Sequence, residues 1–441
     1  MNMKLFLPCL LSAVCISSVA NSQNVGIGTQ NPGRAKLEVH GVAGTGSTTA
    51  LFGGSSTGIS LQQNWPTIGF NQYRDNPAGN GKYIANGYAA IQYFDPASGS
   101  MYMDLFNTGI ASTQTSAPSR AMFLNFGLTN TSFGVGALQT GMGANHTAFG
   151  KAALANTQNS GFNTAIGAYA LLNTATGSRN VAIGNYSQSN NNSGADNTSI
   201  GYLSLQNTTA SANNTAIGSR AGDDFNNGFN NIFVGANADV NAANLFNVVA
   251  IGEGVVVSAS STARFGNLAT TSYGGWANWT NVSDGRFKKG VEENVPGLSF
   301  ITRLRPVSYY LQAQALDDFL RRNKKDSLDN ETTAFRLQAL TAKEQVRYTG
   351  FIAQEVEAAA KALGFEFSGV DAPKNENDTY GLRYAEFVVP LVKAIQEQQA
   401  QIAQKEERIQ QLELAVEEMK KQQKELHLLK TQMAELLKQK Q

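Results

Sequence analysis

Ser283 and Lys288 stand five residues apart in the run Ser283-Asp284-Gly285-Arg286-Phe287-Lys288. A serine hydroxyl is a weak nucleophile until a base takes its proton. No histidine is placed nearby to do so, because the three in the chain are His40, His146 and His427. A lysine serves instead when burial, or a positive neighbour such as Arg286, lowers its pKa from about 10.4 toward neutrality. The candidate chemistry is therefore nucleophilic attack by Ser283 with Lys288 as base, and Lys289 competes for the base role. The spacing sets a condition. Side chains five apart lie on opposite faces of a strand and about 140° apart on a helix, so neither regular element closes the dyad. The backbone must bend between them, and Gly285 is the residue expected to allow it, unless the lysine comes from a neighbouring protomer.

The run sits where the chain changes character. Of the 34 Lys and Arg, 24 fall within 283–441, as do 24 of the 33 Asp and Glu. The first 282 residues are polar mainly through Asn, Ser, Thr and Gly, a composition of extracellular fibres rather than of cytosolic enzymes. A nucleophile and a base at such a junction suggest a chain that cuts itself there. The net charge of +1 gives no global argument for a nucleic-acid partner.

Residues 1–22 read as a secretory signal: Lys4, an apolar run from Leu5 to Val19, then small residues at Ala20-Asn21-Ser22 before Gln23. The run is shorter than the roughly 20 residues that span a bilayer. A lipoprotein reading through Cys15 is disfavoured by Val14. Cys9 and Cys15 both fall within the signal, so a chain starting at Gln23 has no disulfide and no thiol ligand. No metal site or cofactor is expected, and the separated histidines read as surface or core residues.

Residues 23–127 read as a β-rich domain: Asn24–Thr29 opens it, Ala35–Val39 alternates like a short strand, and turn signals stand at Gly79-Asn80-Gly81 and Asn86-Gly87. Residues 128–257 form an internal repeat of the type Asn-Thr-Ala-Ile-Gly, as at 163–167 and 214–218. Its closing glycines stand at 134, 150, 167, 184, 201, 218, 235 and 252, so one spacing of 16 precedes six of 17. That period predicts stacked coils of short strands, a β-roll or β-solenoid, with glycine at the corner. Asparagine at one phase can form a side-chain ladder that satisfies backbone groups at the turns. The Ile, Phe or Val before each glycine is expected to point inward, buried by stacked coils or on the shared axis of a trimer. The array resembles the β-roll heads of trimeric autotransporter adhesins.

Residues 258–282 read as a Ser/Thr/Gly/Trp-rich connector. From Pro390 to the end, 390–441, Leu391, Ile395, Gln398, Ile402, Lys405, Ile409, Leu412, Val416, Met419, Gln423, Leu426, Lys430, Met433 and Leu437 alternate in steps of four and three. That seam predicts a coiled coil of two or three strands, and the fibre before it favours three.

Between them lies 283–389, and four blocks in order run from its first residue to Glu397 at the start of the coiled coil. Ser283–Val291, Leu304–Tyr310, Tyr348–Val356 and Leu382–Glu397 together resemble the intramolecular chaperone auto-processing domain of endosialidase-type phage tailspikes and myelin regulatory factors. Phe387 departs from the leucine usual there, and 312–346 looks like a charged insertion. The resemblance implies a trimeric, helix-rich α+β chaperone that assembles the fibre before it and then cuts between Val282 and Ser283. Ser283 is then the nucleophile and Lys288 the base, with Asp284 and Arg286 orienting the loop.

The resulting expectation is a secreted or surface homotrimeric fibre, a self-cleaving serine peptidase acting once in cis, with a cell-surface or glycan ligand as a further partner class. The alternative is an adhesin whose C-terminal domain trimerises without cutting. A glycan hydrolase is disfavoured because no paired carboxylates stand out in 23–282. A membrane-bound transcription factor is disfavoured because the chain has no basic domain.

Overall fold

The computed structural model describes residues 25–27, 37–39, 48–53, 58–62, 67–73, 82–97, 99–111, 113–115, 119–125, 129–140, 143–322 and 330–439. The signal reading of 1–22, the turn at 79–81 and His40 lie outside these residues. The chain divides into two units, Met1–Asn267 with Arg321–Asp326, and Leu268–Leu320 with Ser327–Gln441. Among the described residues no helix is long and apolar enough to cross a membrane.

A fifteen-stranded sheet runs through the first unit. The strands Thr48–Gly53, Gly58–Gln62, Thr67–Phe70, Gly87–Asp95, Ser100–Gly109, Ser119–Asn125 and Asn130–Phe133 pair antiparallel in sheet order. From Asn130–Phe133 onward the pairing becomes parallel and the sheet becomes one side of a β-solenoid. Three-residue strands such as Thr164–Ile166, Val181–Ile183 and Thr198–Ile200 stack one coil apart. The solenoid does not stop at 257: Ala263–Phe265 pairs parallel with Val249–Ile251, inside the segment read as connector.

Two columns hold the coils in register. The first is asparagine. The amide nitrogen of Asn197 donates to Asn180 Oδ1 at 3.1 Å and to the Ser211 carbonyl at 2.7 Å. Its own Oδ1 accepts from the Asn214 backbone N–H and side chain, both at 3.0 Å. The same pattern recurs through Asn163, Asn180, Asn214 and Asn231, so fully buried amides are all satisfied and the expected ladder is present. His146 takes one rung, its Nδ1 facing the Asn163 N–H at 3.3 Å. Burial pushes its imidazole below the ordinary value.

The second column is the closing glycines. Each from Gly134 to Gly252 has φ between 128° and 141°, a region that side-chain-bearing residues rarely adopt. A Cβ on Gly201 would also lie 2.2 Å from the Gly218 carbonyl oxygen.

The direction of the strand side chains corrects the sequence expectation. Ala165, Ala182 and Ala216, at the strand centres, are fully buried, whereas Ile166, Ile200 and Ile217 are about 40% exposed, at 41%, 38% and 41%. A strand alternates faces at every residue, and alanine holds the inward one. The second inward column is Leu138, Leu154, Leu171 and Leu205, all fully buried with φ from 48° to 52°. Gln188 takes the place between Leu171 and Leu205 and donates to the Val181 carbonyl and Ser199 Oγ.

The outward knobs form a row that continues past the solenoid. Phe265, Ile251, Val234, Ile217, Ile200, Ile183, Ile166, Phe149 and Phe133 are successive register partners. Beyond them the pairing leads on to Met122, Met103, Gln92, Ile68 and Leu61 of the antiparallel strands.

Asn197→Ala leaves buried donors and acceptors on two neighbouring coils unpaired, which costs about 2–4 kcal/mol at roughly 1–3 kcal/mol for each group left unsatisfied. Native-state hydrogen exchange should show that loss as a lower opening free energy of the strands around 181–217. His146→Asn should act on pH dependence. A buried neutral histidine favours folding fully above the unfolded pKa of about 6.5 and progressively less as pH falls toward the lower folded value. The thermal midpoint of the wild-type solenoid should therefore drop between pH 7.5 and pH 5 by more than that of the variant.

Candidate functional site

The second unit has one aromatic core. Phe300 is fully buried and meets Phe365 and Phe367 edge-on, with ring centroids 5.4 and 5.0 Å away. Val356, Ala360 and Phe387 complete it. Three of the four sequence blocks converge on this core. Val307–Tyr310 pairs antiparallel with Arg347–Gly350, and Arg305 Nε donates to Glu355 Oε2 at 3.1 Å. The Tyr384 hydroxyl accepts from the Phe351 N–H at 3.1 Å. Tyr384 also closes over Gly350, where a Cβ would meet its hydroxyl at 2.3 Å. An open groove of 780 Å³ lies among these blocks, lined by Arg305, Tyr309, Phe351, Tyr380 and Tyr384 among others. The charged insertion forms two helices, Ala313–Arg321 and Asn330–Glu344.

The long helix Val388–Gln439 follows without an interior breaker, since Pro390 sits in the first turn where no intrahelical N–H is required. Its first turns dock on the core: Ala394 is buried and Glu397 Oε2 accepts from the Leu298 N–H at 2.7 Å. Beyond them the predicted seam is exposed in the single chain at Ile402, Ile409, Leu412, Val416, Met419, Leu426, Met433 and Leu437.

The remaining block, from Ser283, is solvent-exposed and does not line the groove. It does bend. Gly285–Phe287 forms a single 3₁₀ turn, closed by Phe287 N–H to the Asp284 carbonyl and Lys288 N–H to the Gly285 carbonyl, both 3.1 Å. Asp284 caps the turn by accepting the Arg286 N–H at 2.9 Å, and its carboxylate takes the Arg286 guanidinium in a forked pair at 3.0 and 2.6 Å. These two bonds hold the Asp284 carboxyl below the usual carboxylate range, the side-chain pair contributing most. The turn brings the two ends together: Lys288 Nζ donates to Ser283 Oγ at 2.8 Å.

Two expectations change here. The contact forms within one chain, without a lysine from a neighbouring protomer. Gly285 is also not the source of the bend: its φ lies outside the positive region, and a Cβ there would meet nothing within 4 Å. The Asp284 cap and the Arg286 pair provide the fold-back.

Sequence reasoning missed one cluster. Asp223, Asp224 and Asp239 offer carboxylate oxygens within 4.8 Å of one another, although no carboxylate grouping stood out in 23–282. Structural bonds occupy it. Arg220 pairs with Asp223, and Asp239 accepts the Asp224 and Val240 N–H groups. The signal available was the 15-residue separation of Asp224 and Asp239, close to one coil.

Fold and site together define a β-solenoid chain carrying a helix-rich α+β domain at its C-terminal end. Residues 283–365 match the peptidase family model described as Chaperone of endosialidase, so the region beginning at Ser283 is similar to that chaperone domain. The match ends before Leu382–Glu397, yet Tyr384 and Phe387 of that block stack on Phe351 within it. No curated protein and no solved structure matches the chain.

Asp284→Ala removes both cap and ion pair. Amide exchange at Arg286 and Lys288 should accelerate several-fold, while Asp284→Asn, which keeps an acceptor for the Arg286 N–H, should fall between the two. Equal protection in all three chains would show that Asp284 does not hold the turn.

Proposed function

We propose that this protein is an exported fibre whose C-terminal domain assembles three copies and then cuts the chain between Val282 and Ser283. The observation that carries this reading is the 2.8 Å contact from Lys288 Nζ to Ser283 Oγ, at the first residue of the region matching the endosialidase-chaperone family. The neutral Lys288 amine takes the Ser283 hydroxyl proton, and Oγ attacks the carbonyl carbon of Val282. The carbon–nitrogen bond breaks, the Ser283 amine receives the proton from Lys288, and an ester joins Val282 to Ser283 Oγ. Water hydrolyses that ester, leaving a Val282 carboxylate on the fibre and a free N-terminus at Ser283. Asp284 and Arg286 are positioning residues in this scheme.

Lysine acts as a base only without its proton, and burial favours the neutral form. Ser283 and Lys288 are both exposed in the single chain. Assembly therefore supplies desolvation rather than the contact, which ties cutting to a completed trimer. The exposed seam of the long helix supports the assembly step: apolar a and d positions become buried when helices wind together. The same exposure of the dyad is what favours the second reading, a fibre whose C-terminal domain trimerises and never cuts.

Intact-mass analysis of the purified protein decides between them. The first reading expects a fragment beginning at Ser283, absent in Ser283→Ala and reduced at least ~100-fold in rate in Lys288→Ala, the order seen for loss of a positioned base. A wild-type chain that stays full length after assembly establishes the second.

A further inference from the structure

The apolar row on the fifteen-stranded sheet is not used by either step above. It crosses two architectures, interrupted by the uncharged Gln92 alone, from Phe265 at the last solenoid coil, through Ile200 and Phe133, to Ile68 and Leu61 in the antiparallel strands. No register position along it carries a charge. At about 4.8 Å per strand it is on the order of 60 Å long, far more than the scattered apolar residues of an ordinary surface. Its flanking outward positions are uncharged as well: Thr164, Val181, Thr198 and Thr215 in the solenoid, Met101 and Leu124 beyond it.

We infer that this row is a single seam along which copies of this chain pack, reaching from the solenoid into the antiparallel sheet. The inference rests on the trimer reading and specifies its geometry. The occupant is a second copy for three reasons. A partner must be uncharged along the full length of the row. It must also present side chains at the one-strand pitch of a parallel solenoid, which another copy in register does by construction. Finally, the helix Val388–Gln439 exposes its own apolar seam, and a parallel coiled coil aligns the copies that the row requires. The row also explains why the strands spend alanine on the inside and isoleucine on the outside: the larger side chains are reserved for the contact between chains.

Because residues 23–441 contain no cysteine, single spin labels can be placed in the full chain once Cys9 and Cys15 are changed to serine. Labels are introduced through Ile200→Cys, Ile68→Cys and, half a coil from the strands, Asn190→Cys, one per chain. Dipolar spectroscopy and sedimentation are run on each. The seam requires intermolecular distances of roughly 10–20 Å at both 200 and 68, since sheets packed face to face lie about 10 Å apart, and clearly longer distances at 190. A trimer in which 200 is no closer than 190 overturns the seam and leaves the trimer reading intact. Proximity at 200 but not at 68 overturns its extension into the antiparallel strands. A monomer by sedimentation overturns the seam together with the assembly on which it rests.

Discussion

Register between coils is the constraint on which the rest of this structure depends. A three-residue strand makes too few ladder bonds to fix its own place, and flat uncharged strands slip easily. The asparagine column removes that freedom. The Asn197 amide bonds to the coil before through Asn180 and to the coil after through Asn214 and the Ser211 carbonyl, so a shift of one residue would strand several polar groups in a dry interior. The glycine column adds a steric condition, since only a residue without Cβ fits under the next carbonyl. With register fixed, every outward isoleucine falls in one line.

The C-terminal domain follows a different logic. Its core joins Phe300, Phe365 and Phe367 to Leu304, Phe351, Val356 and Phe387 of three sequence blocks, and its long helix leaves an apolar seam open to solvent. Parallel stacking over many coils has distant contacts and forms slowly. A helix forms locally and quickly, and in the proposed assembly it aligns copies before the solenoid has closed. The Ser283 turn at the border of this domain is small and local, held by its own backbone bonds and by the Asp284–Arg286 pair. It needs nothing from the core to bring Ser283 to Lys288.

Much of this was legible in the sequence because it repeats. The 17-residue period located the coils, the Asn phase gave the ladder, and the steps of four and three gave the long helix. Side-chain direction was not legible, because Ala165 and Ile166 are both apolar neighbours and only the structure shows which faces inward. The buried Leu154, Leu171 and Leu205 repeat as an Ala-Leu pair in two coils and a Ser-Leu pair in the third, but their φ near +50° is a backbone state that leucine rarely enters. The coil ending at Phe265 escaped because Gly266 follows Gly252 by 14 residues instead of 17. At the site, spacing alone showed that the chain must bend but assigned the bend to Gly285, whereas a side-chain cap from Asp284 makes it.

The proposed order of events is association of copies, desolvation of the exposed Ser283–Lys288 contact, and breakage of the bond before Ser283. Native mass spectrometry of freshly synthesised protein, sampled over time, tests that order directly. Uncut trimers should appear first and convert to trimers of cut chains, with monomers remaining full length throughout. Cut monomers accumulating before any trimer would contradict it.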